Sequence, residues 1–325
     1  MSKFEFVKNR YVSYILSAIM IVASFVLLLS RGLNYGIDFK GGNIIHVTFD
    51  KETNESEIRD IFNKITTDNK IQLTSDRIII QNVAPSRGSV GVIKDREFII
   101  QYPATAKDSL EANKINEKIL SELAKNLPFA NDSLEISYIG PTIGDELKEK
   151  GFIAALFSCI GILLYLGWRF DFHSSLGVII AVVHDLIVSL GFISLCNIEF
   201  DTTVLVALLT LLGSSVNDSI VIFDRIRENS RISKNGTAYA DIVNSSINQS
   251  LGRTLNTTIT TLLALLALVF FGGRSIYGFS IALTFGSIIG TYSSICIAAT
   301  CVLDLFNKQK ATKSQDGGFA VATSN

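Results

Sequence analysis

Six stretches of this chain are each long and apolar enough to cross a lipid bilayer, and this constrains the fold more than any other feature. A hydrocarbon core of about 30 Å takes a helix of about 20 mostly apolar residues, because no water is available there to satisfy an open backbone. Residues 12–29, 151–168, 176–196, 203–223, 254–271 and 279–303 meet that requirement. The fifth is the most polar, since its first turns carry Thr254, Asn256, Thr257 and Thr258. The run at 12–29 is longer than the apolar region of about 7–15 residues in a cleaved signal peptide. No small-residue cleavage pattern follows it in Ser30-Arg31-Gly32-Leu33-Asn34, so it reads as a retained signal anchor.

Composition agrees with a membrane chain. Charged residues make up 18% of the sequence, against roughly 25% in soluble domains, and most of them fall before residue 150 or in short loops. A formal net charge of -1 leaves no electrostatic footprint for nucleic acid, and none is expected as a partner. Cys159, Cys196, Cys296 and Cys301 lie in or beside apolar runs without metal-type spacing and read as small apolar residues. The Gly-Gly pairs at 41–42 and 272–273 do not follow a strand-to-helix phosphate-loop pattern. With no nucleophile–base pattern and no metal-ligand spacing either, no enzyme activity, metal or cofactor is expected.

Lysine and arginine in the short loops set the orientation. Lys3, Lys8 and Arg10 precede the first span, Arg169 lies between the second and third, and Arg225, Arg227, Arg231, Lys234 and Arg253 cluster between the fourth and fifth. Lys308, Lys310 and Lys313 follow the sixth, whereas the alternate loops 197–202 and 272–277 contribute only Arg274. The expectation is a multi-pass membrane protein with cytoplasmic tails at 1–11 and 304–325 and an extracytoplasmic domain at 30–150. Arg31 is the one local dissent.

Within 30–150, strand-like stretches at 44–49, 77–83, 97–102 and 134–138 alternate with amphipathic helices at 55–65 and 108–127. Asn54 is the expected cap of the first helix, and Pro85-Ser86-Arg87-Gly88 reads as a turn. The order β-α-β-β-α-β predicts an α+β ferredoxin-like domain inserted into a six-helix membrane protein. That fold by itself assigns no function.

The polar residues inside the spans are more informative. His184 and Asp185 fall near the middle of the third, and Asn217 and Asp218 lie about two-thirds of the way along the fourth. An ionised Asp at mid-membrane costs roughly 2.5–3.5 kcal/mol, and such residues mark ion or proton pathways. At 100° per residue, Thr210, Ser214, Asn217 and Asp218 share one quadrant, opposed by Leu209, Leu212, Val216 and Ile220. This stripe should face a protein interior or a wet cavity. A carboxyl taken out of water can hold a proton near neutral pH and an approaching arginine drives it off, so Asp218 and Arg253 are the candidate ion-coupling pair. The plainer alternative makes Asp218 a static packing residue paired with Arg253, and His184 with Asp185 a self-satisfied structural pair. Ala282, Gly286, Gly290, Ser294 and Ala298 form a ladder of small residues expected to be a helix-packing face. Residues 239–251 are amphipathic and are expected to lie along the cytoplasmic membrane interface, with a partner-binding helix as the alternative.

Several segments together resemble the SecF family, the smaller subunits of the SecD–SecF complex of bacterial protein export. They are Gly36-Ile37-Asp38-Phe39-Lys40-Gly41-Gly42, Gly140-Pro141-Thr142-Ile143-Gly144, His184-Asp185, Phe200-Asp201, Ser215-Val216-Asn217-Asp218 through Asp224-Arg225-Ile226-Arg227-Glu228-Asn229, Ser246 to Thr254, and Gly290-Thr291-Tyr292-Ser293-Ser294. The resemblance implies a half-transporter of the resistance-nodulation-division (RND) type that pairs with SecD and works with the SecYEG channel. It also implies use of the proton or sodium motive force to help translocating polypeptides across. It places Asp218 and Arg253 at the family's ion-coupling positions, and Asp38, Gly41 and Gly42 in its Gly-Gly motif. Lys40 and Ser214 depart from the threonine and tyrosine frequent there, which touches local packing only. A half-transporter for small molecules or lipids and a receptor or scaffold without ion coupling remain alternatives.

Overall fold

Each apolar run coincides with a helix that extends beyond it at one end or both, except that Cys196 of the third run lies just past the end of its helix. The computed structural model describes residues 4–68, 78–82, 96–103, 109–170, 172–233, 237–272 and 276–307. The turn expected at Pro85–Gly88, together with Lys3, Lys234, Arg274 and the lysines at 308, 310 and 313, lies outside these residues. In chain order, α1 (Arg10–Ser30) leads through β1 (Asn34–Tyr35) and the short α2 (Ile37–Lys40) into the inserted domain. That domain comprises β2 (Gly42–Phe49), α3 (Glu55–Asp68), β3 (Ile79–Asn82), β4 (Glu97–Pro103), α4 (Ser109–Asn126) and β5 (Phe129–Ile139). Then come α5 (Pro141–Arg169), α6 (Phe172–Leu195), β6 (Glu199–Phe200), α7 (Thr202–Ile232), α8 (Tyr239–Phe271) and α9 (Tyr277–Ser293). A π-helical segment, Ser294–Ala298, continues α9, and the helix runs on to Asn307, the last described residue. Among the described residues six helices are long and apolar enough to cross a membrane, which makes this a multi-pass membrane protein.

The amphipathic stretch at 239–251 is not a separate interfacial helix but the first turns of α8. Nothing breaks the helix between it and the apolar run, and its apolar face has a better partner than lipid. Val243 and Ile247 are buried in one cluster with Phe223 and Ile226 of α7 and with Val7. Pro141 opens α5 well before the apolar run, where its fixed φ suits a first helical turn and its missing N–H costs nothing.

Helices α6, α7 and α9 are the most buried, with α1, α5 and α8 around them. The ladder of small residues on α9 faces α7. A Cβ on Gly286 would lie 2.6 Å from Leu211 Cδ2, and one on Gly290 3.3 Å from Ser215 Cβ. Without bulk at those positions the two backbones approach closely, which is how helices associate where lipid supplies no hydrophobic drive.

In the inserted domain the four strands are all antiparallel and run β3-β4-β2-β5, the ferredoxin-like order. Alternate residues Ile45, Val47 and Phe49 of β2 bury against Ile58 and Phe62 of α3 and Ile119 and Leu123 of α4. One polar group is built into this core: Asn116 donates from Nδ2 to Asn43 Oδ1 (2.8 Å) and accepts from the Tyr102 hydroxyl.

The join between domain and membrane helices is made by short elements. β1 pairs in parallel with β6, Asn34 opposite Glu199 and Tyr35 opposite Phe200, and the Phe39 ring stacks on Phe200 at 5.6 Å. Gly41 has φ +78°, open to glycine at little cost, and a Cβ on Gly42 would lie 2.6 Å from the Tyr102 carbonyl oxygen. The Gly-Gly pair thus turns α2 directly into the central strand β2 with no slack between them.

Candidate functional site

The polar quadrant of α7 opens sideways instead of packing into the bundle. Leu211, Leu212, Ser215, Val216 and Ser219 are buried, while Thr210, Ser214 and Asn217 are exposed and Asp218 is partly so. Asp218 borders a cavity of about 110 Å³ shared with Ser214 and Asn217 of α7, Thr257, Thr258 and Thr261 of α8, and Ser287 and Thr291 of α9. Space of that size admits several water molecules among polar partners.

The threonines lie there because hydroxyls in a helix can return their proton to the preceding turn. Thr258 Oγ1 donates to the Thr254 carbonyl at 2.8 Å and meets Thr291 Oγ1 at 2.8 Å, and Thr261 Oγ1 donates to the Thr257 carbonyl at 2.9 Å. Their protons are used internally, so the oxygen lone pairs remain for water or a cation. The lining is one carboxyl, one amide and a set of hydroxyl oxygens, a hard-oxygen environment suited to protons, water or a small cation.

Arg253 stands one turn before Thr257 on α8, exposed and outside the lining. Among the described residues no ion pair joins it to Asp218, and the Asp218 carboxyl has no hydrogen-bond partner. The two residues nevertheless lie on neighbouring helices, both on the open side of the bundle.

His184 and Asp185 occupy a different place, the buried centre between α6, α7 and α9. Asp185 is fully buried; its Oδ1 lies 3.0 Å from His184 Nδ1, and its Oδ2 accepts from Ser215 Oγ (2.6 Å) and Ser293 Oγ (2.7 Å). Ser294 Oγ accepts from Ser219 Oγ at 3.0 Å and donates to the Ser215 carbonyl at 3.2 Å. Ser293 and Ser294 sit where α9 widens into the π segment, a distortion that commonly accompanies functional positions. His184 Nε2 is buried without a partner among the described residues. The structure therefore holds Asp218, Asn217 and the threonines in one cavity and His184 with Asp185 in a second cluster, with Ser215 bordering both.

A third polar group lies at the join to the inserted domain, where the sequence reading has Asp38 and Asp201 only as motif residues and does not single out Thr202 or Glu199. Asp38 Oδ2 accepts from the backbone N–H of Thr202 at 3.0 Å and from its hydroxyl at 2.6 Å. Asp201 caps α7 by accepting from the Val204 N–H at 2.8 Å. Burial, then the charges of Asp201 and Asp38, push the neighbouring Glu199 carboxyl up to about 7.

Residues 119–308 match the family described as protein export membrane protein SecD/SecF, C-terminal, and residues 26–53 match the SecD/SecF GG motif. The protein translocase subunit SecF of Rickettsia bellii is 39% identical over 311 residues, 95% of each chain. That of Rickettsia rickettsii is 38% identical over 312 residues, 95% of this chain and 94% of the relative. The crystal structure of SecDF, a translocon-associated membrane protein from Thermus thermophilus, superposes with a TM-score of 0.75 at 31% identity. It covers 94% of this chain, which in turn spans 39% of the longer SecDF chain. A SecDF structure in a super-membrane-facing form gives a TM-score of 0.71 at 31% identity, covering 97% of this chain and 40% of the other. With matched segments spanning the Gly-Gly turn, the Asp218 helix and the small-residue face of α9, this chain belongs to the SecD/SecF family of protein-export membrane proteins.

Proposed function

We propose that this chain is the SecF-type half of an accessory export device in the bacterial inner membrane. It joins a SecD-type half beside the SecYEG channel and uses the proton or sodium motive force to drive late translocation and release of secreted polypeptides. The observation that carries this reading is the position of Asp218, a carboxyl at membrane depth in a hydroxyl-lined cavity open on the side of the bundle. Such a face is costly against lipid tails. A second half covering α7 and α8 removes that cost, and the greater length of the SecDF chains gives such a half a source.

In this reading both termini and the arginine-rich α7–α8 loop are cytoplasmic, and the inserted domain is external. Asp218 takes up an ion in one arrangement of the helices. In the other, Arg253 approaches and displaces it, which makes the exposed, unpaired state of Arg253 a functional property. Each elementary charge crossing the field supplies about 2.3 kcal/mol per 100 mV, enough to bias two arrangements separated by a few kcal/mol. A drug- or lipid-sized substrate does not fit at Asp218 itself. The Asp218 cavity of about 110 Å³ is well under the roughly 300–1,000 Å³ that enclose drug-sized ligands.

The test is export into inverted vesicles, with proton and sodium gradients collapsed separately. Asp218→Asn should insert normally, slow late export, and lose its response to whichever gradient drives the wild type. Wild-type export kinetics in that variant would refute the coupling role.

A further inference from the structure

The first residue of the helix that carries Asp218 is held from outside the helix. Helix starts leave N–H groups unsatisfied, and a carboxylate placed there gains both a hydrogen bond and the favourable end of the helix dipole. Asp201 supplies the usual cap within the chain, accepting from Val204 N–H and Thr203 Oγ1 at 2.8 and 2.7 Å. Asp38 supplies a second from a distant part of the sequence, gripping both donors of Thr202. Because α2 turns into β2 without slack, a force on Thr202 is delivered to the central strand of the external domain.

We propose that Asp38 is the positioning residue that ties α7 to the external domain, and that Glu199 beside it sets the strength of this tie according to the acidity of the outer side. The proposal rests on the ion-coupling reading above and adds a route by which movement at Asp218 reaches the outside.

The groups around Glu199 give the sign. Asp201 and Asp38 face it as like charges, Lys40 as an opposite one, and the Ile37 N–H donates to its carboxyl. His46 of β2 and Tyr277 of α9 line the same cavity of about 500 Å³ from its other walls. Burial and the two aspartates hold its pKa near 7, above the ordinary 4.5. A carboxyl raised in this way stabilises the assembled join fully below about 4.5, and that contribution is lost as pH rises through about 7. Below neutrality Glu199 carries a proton, one of three negative charges is gone, and the grip of Asp38 on Thr202 is firm. Above it three carboxylates crowd one place, only partly offset by Lys40, and the grip loosens.

The experiment uses the full chain in lipid nanodiscs, its four cysteines replaced by serine, with spin labels on Lys118→Cys in α4 and Phe271→Cys at the end of α8. Pulsed electron–electron distances are recorded from about two pH units below neutrality to about two above. The expected result is a narrow distribution on the acid side that broadens with a midpoint near 7. Glu199→Gln should stay narrow throughout. Thr202→Val should be broad throughout, and Thr202→Ser, which keeps the hydroxyl, should restore the wild-type profile. A flat wild-type profile, or Thr202→Val tracking the wild type, would overturn the proposal. Neither result depends on a partner subunit or on export, so failure here is distinct from failure of the coupling role at Asp218.

Discussion

Asp185 of α6 accepts a 2.7 Å hydrogen bond from Ser293 of α9 at the residue where that helix passes into its π segment. The same carboxylate oxygen binds Ser215 of α7, so one buried group joins the three central helices. Removing it strands the Ser215 hydroxyl and the His184 imidazole away from water and leaves Ser293 only the Gly290 carbonyl of its own helix, 3.0 Å away. Asp185→Ala should cost about 2–6 kcal/mol, at about 1–3 kcal/mol for each of the two buried groups left without a partner. Ser293→Ala, which removes a single charge-assisted bond, should cost about 1.5–3 kcal/mol. Thermal unfolding in mild detergent checks both, and equal losses in the two variants would mean that Asp185 does not bind the helices together.

A second prediction concerns the seam between α9 and α7. Leu211 leaves no room for a side chain at Gly286, so Gly286→Leu must push the helices apart or force Leu211 out of its rotamer. Overpacking of this kind costs about 1–3 kcal/mol. The same change at Gly213 meets open space and should be near neutral in the isolated chain. Paired melting curves of the two variants decide it.

The inserted domain offers a third. Tyr102, Asn116 and Asn43 form a buried polar group between sheet and helix. Asn116→Ala leaves two buried partners unsatisfied and should destabilise the domain by about 1–3 kcal/mol. Hydrogen exchange on the full chain should show faster opening of β2, β4 and α4 while α6, α7 and α9 keep their protection.

A fourth follows from the hydroxyl lining. Thr257→Val and Thr261→Val keep the shape of the side chains but remove oxygen from the Asp218 cavity. Export should slow severalfold with insertion and stability unchanged, and the double variant should be slower than either alone. Unchanged export in the double variant would show that the cavity works without the Thr257 and Thr261 hydroxyls.

What the sequence makes legible follows physical range. Spans, the strand and helix order of the inserted domain and the polar quadrant on α7 are periodic or local, so they can be read from residues close in the chain. The grip of Asp38 on Thr202 and of Ser293 on Asp185 joins residues far apart in sequence, and no periodicity announces it. β1 and β6 are two residues each, too short for a strand signal, and Glu199 looks like an ordinary loop carboxyl until the fold buries it beside two aspartates. The amphipathic face of 239–251 was visible, but its partner was not. A face that suits lipid headgroups equally suits Phe223 and Ile226, and only the tertiary packing decides between them.

Infrared difference spectroscopy of the full chain in lipid, titrated across the physiological pH range, tests the central claim most directly. The account predicts a carboxyl band that gains and loses its proton within that range and is missing from Asp218→Asn. A spectrum identical in wild type and variant at every pH would contradict it, because Asp218 would then hold one protonation state throughout and could couple no ion to movement.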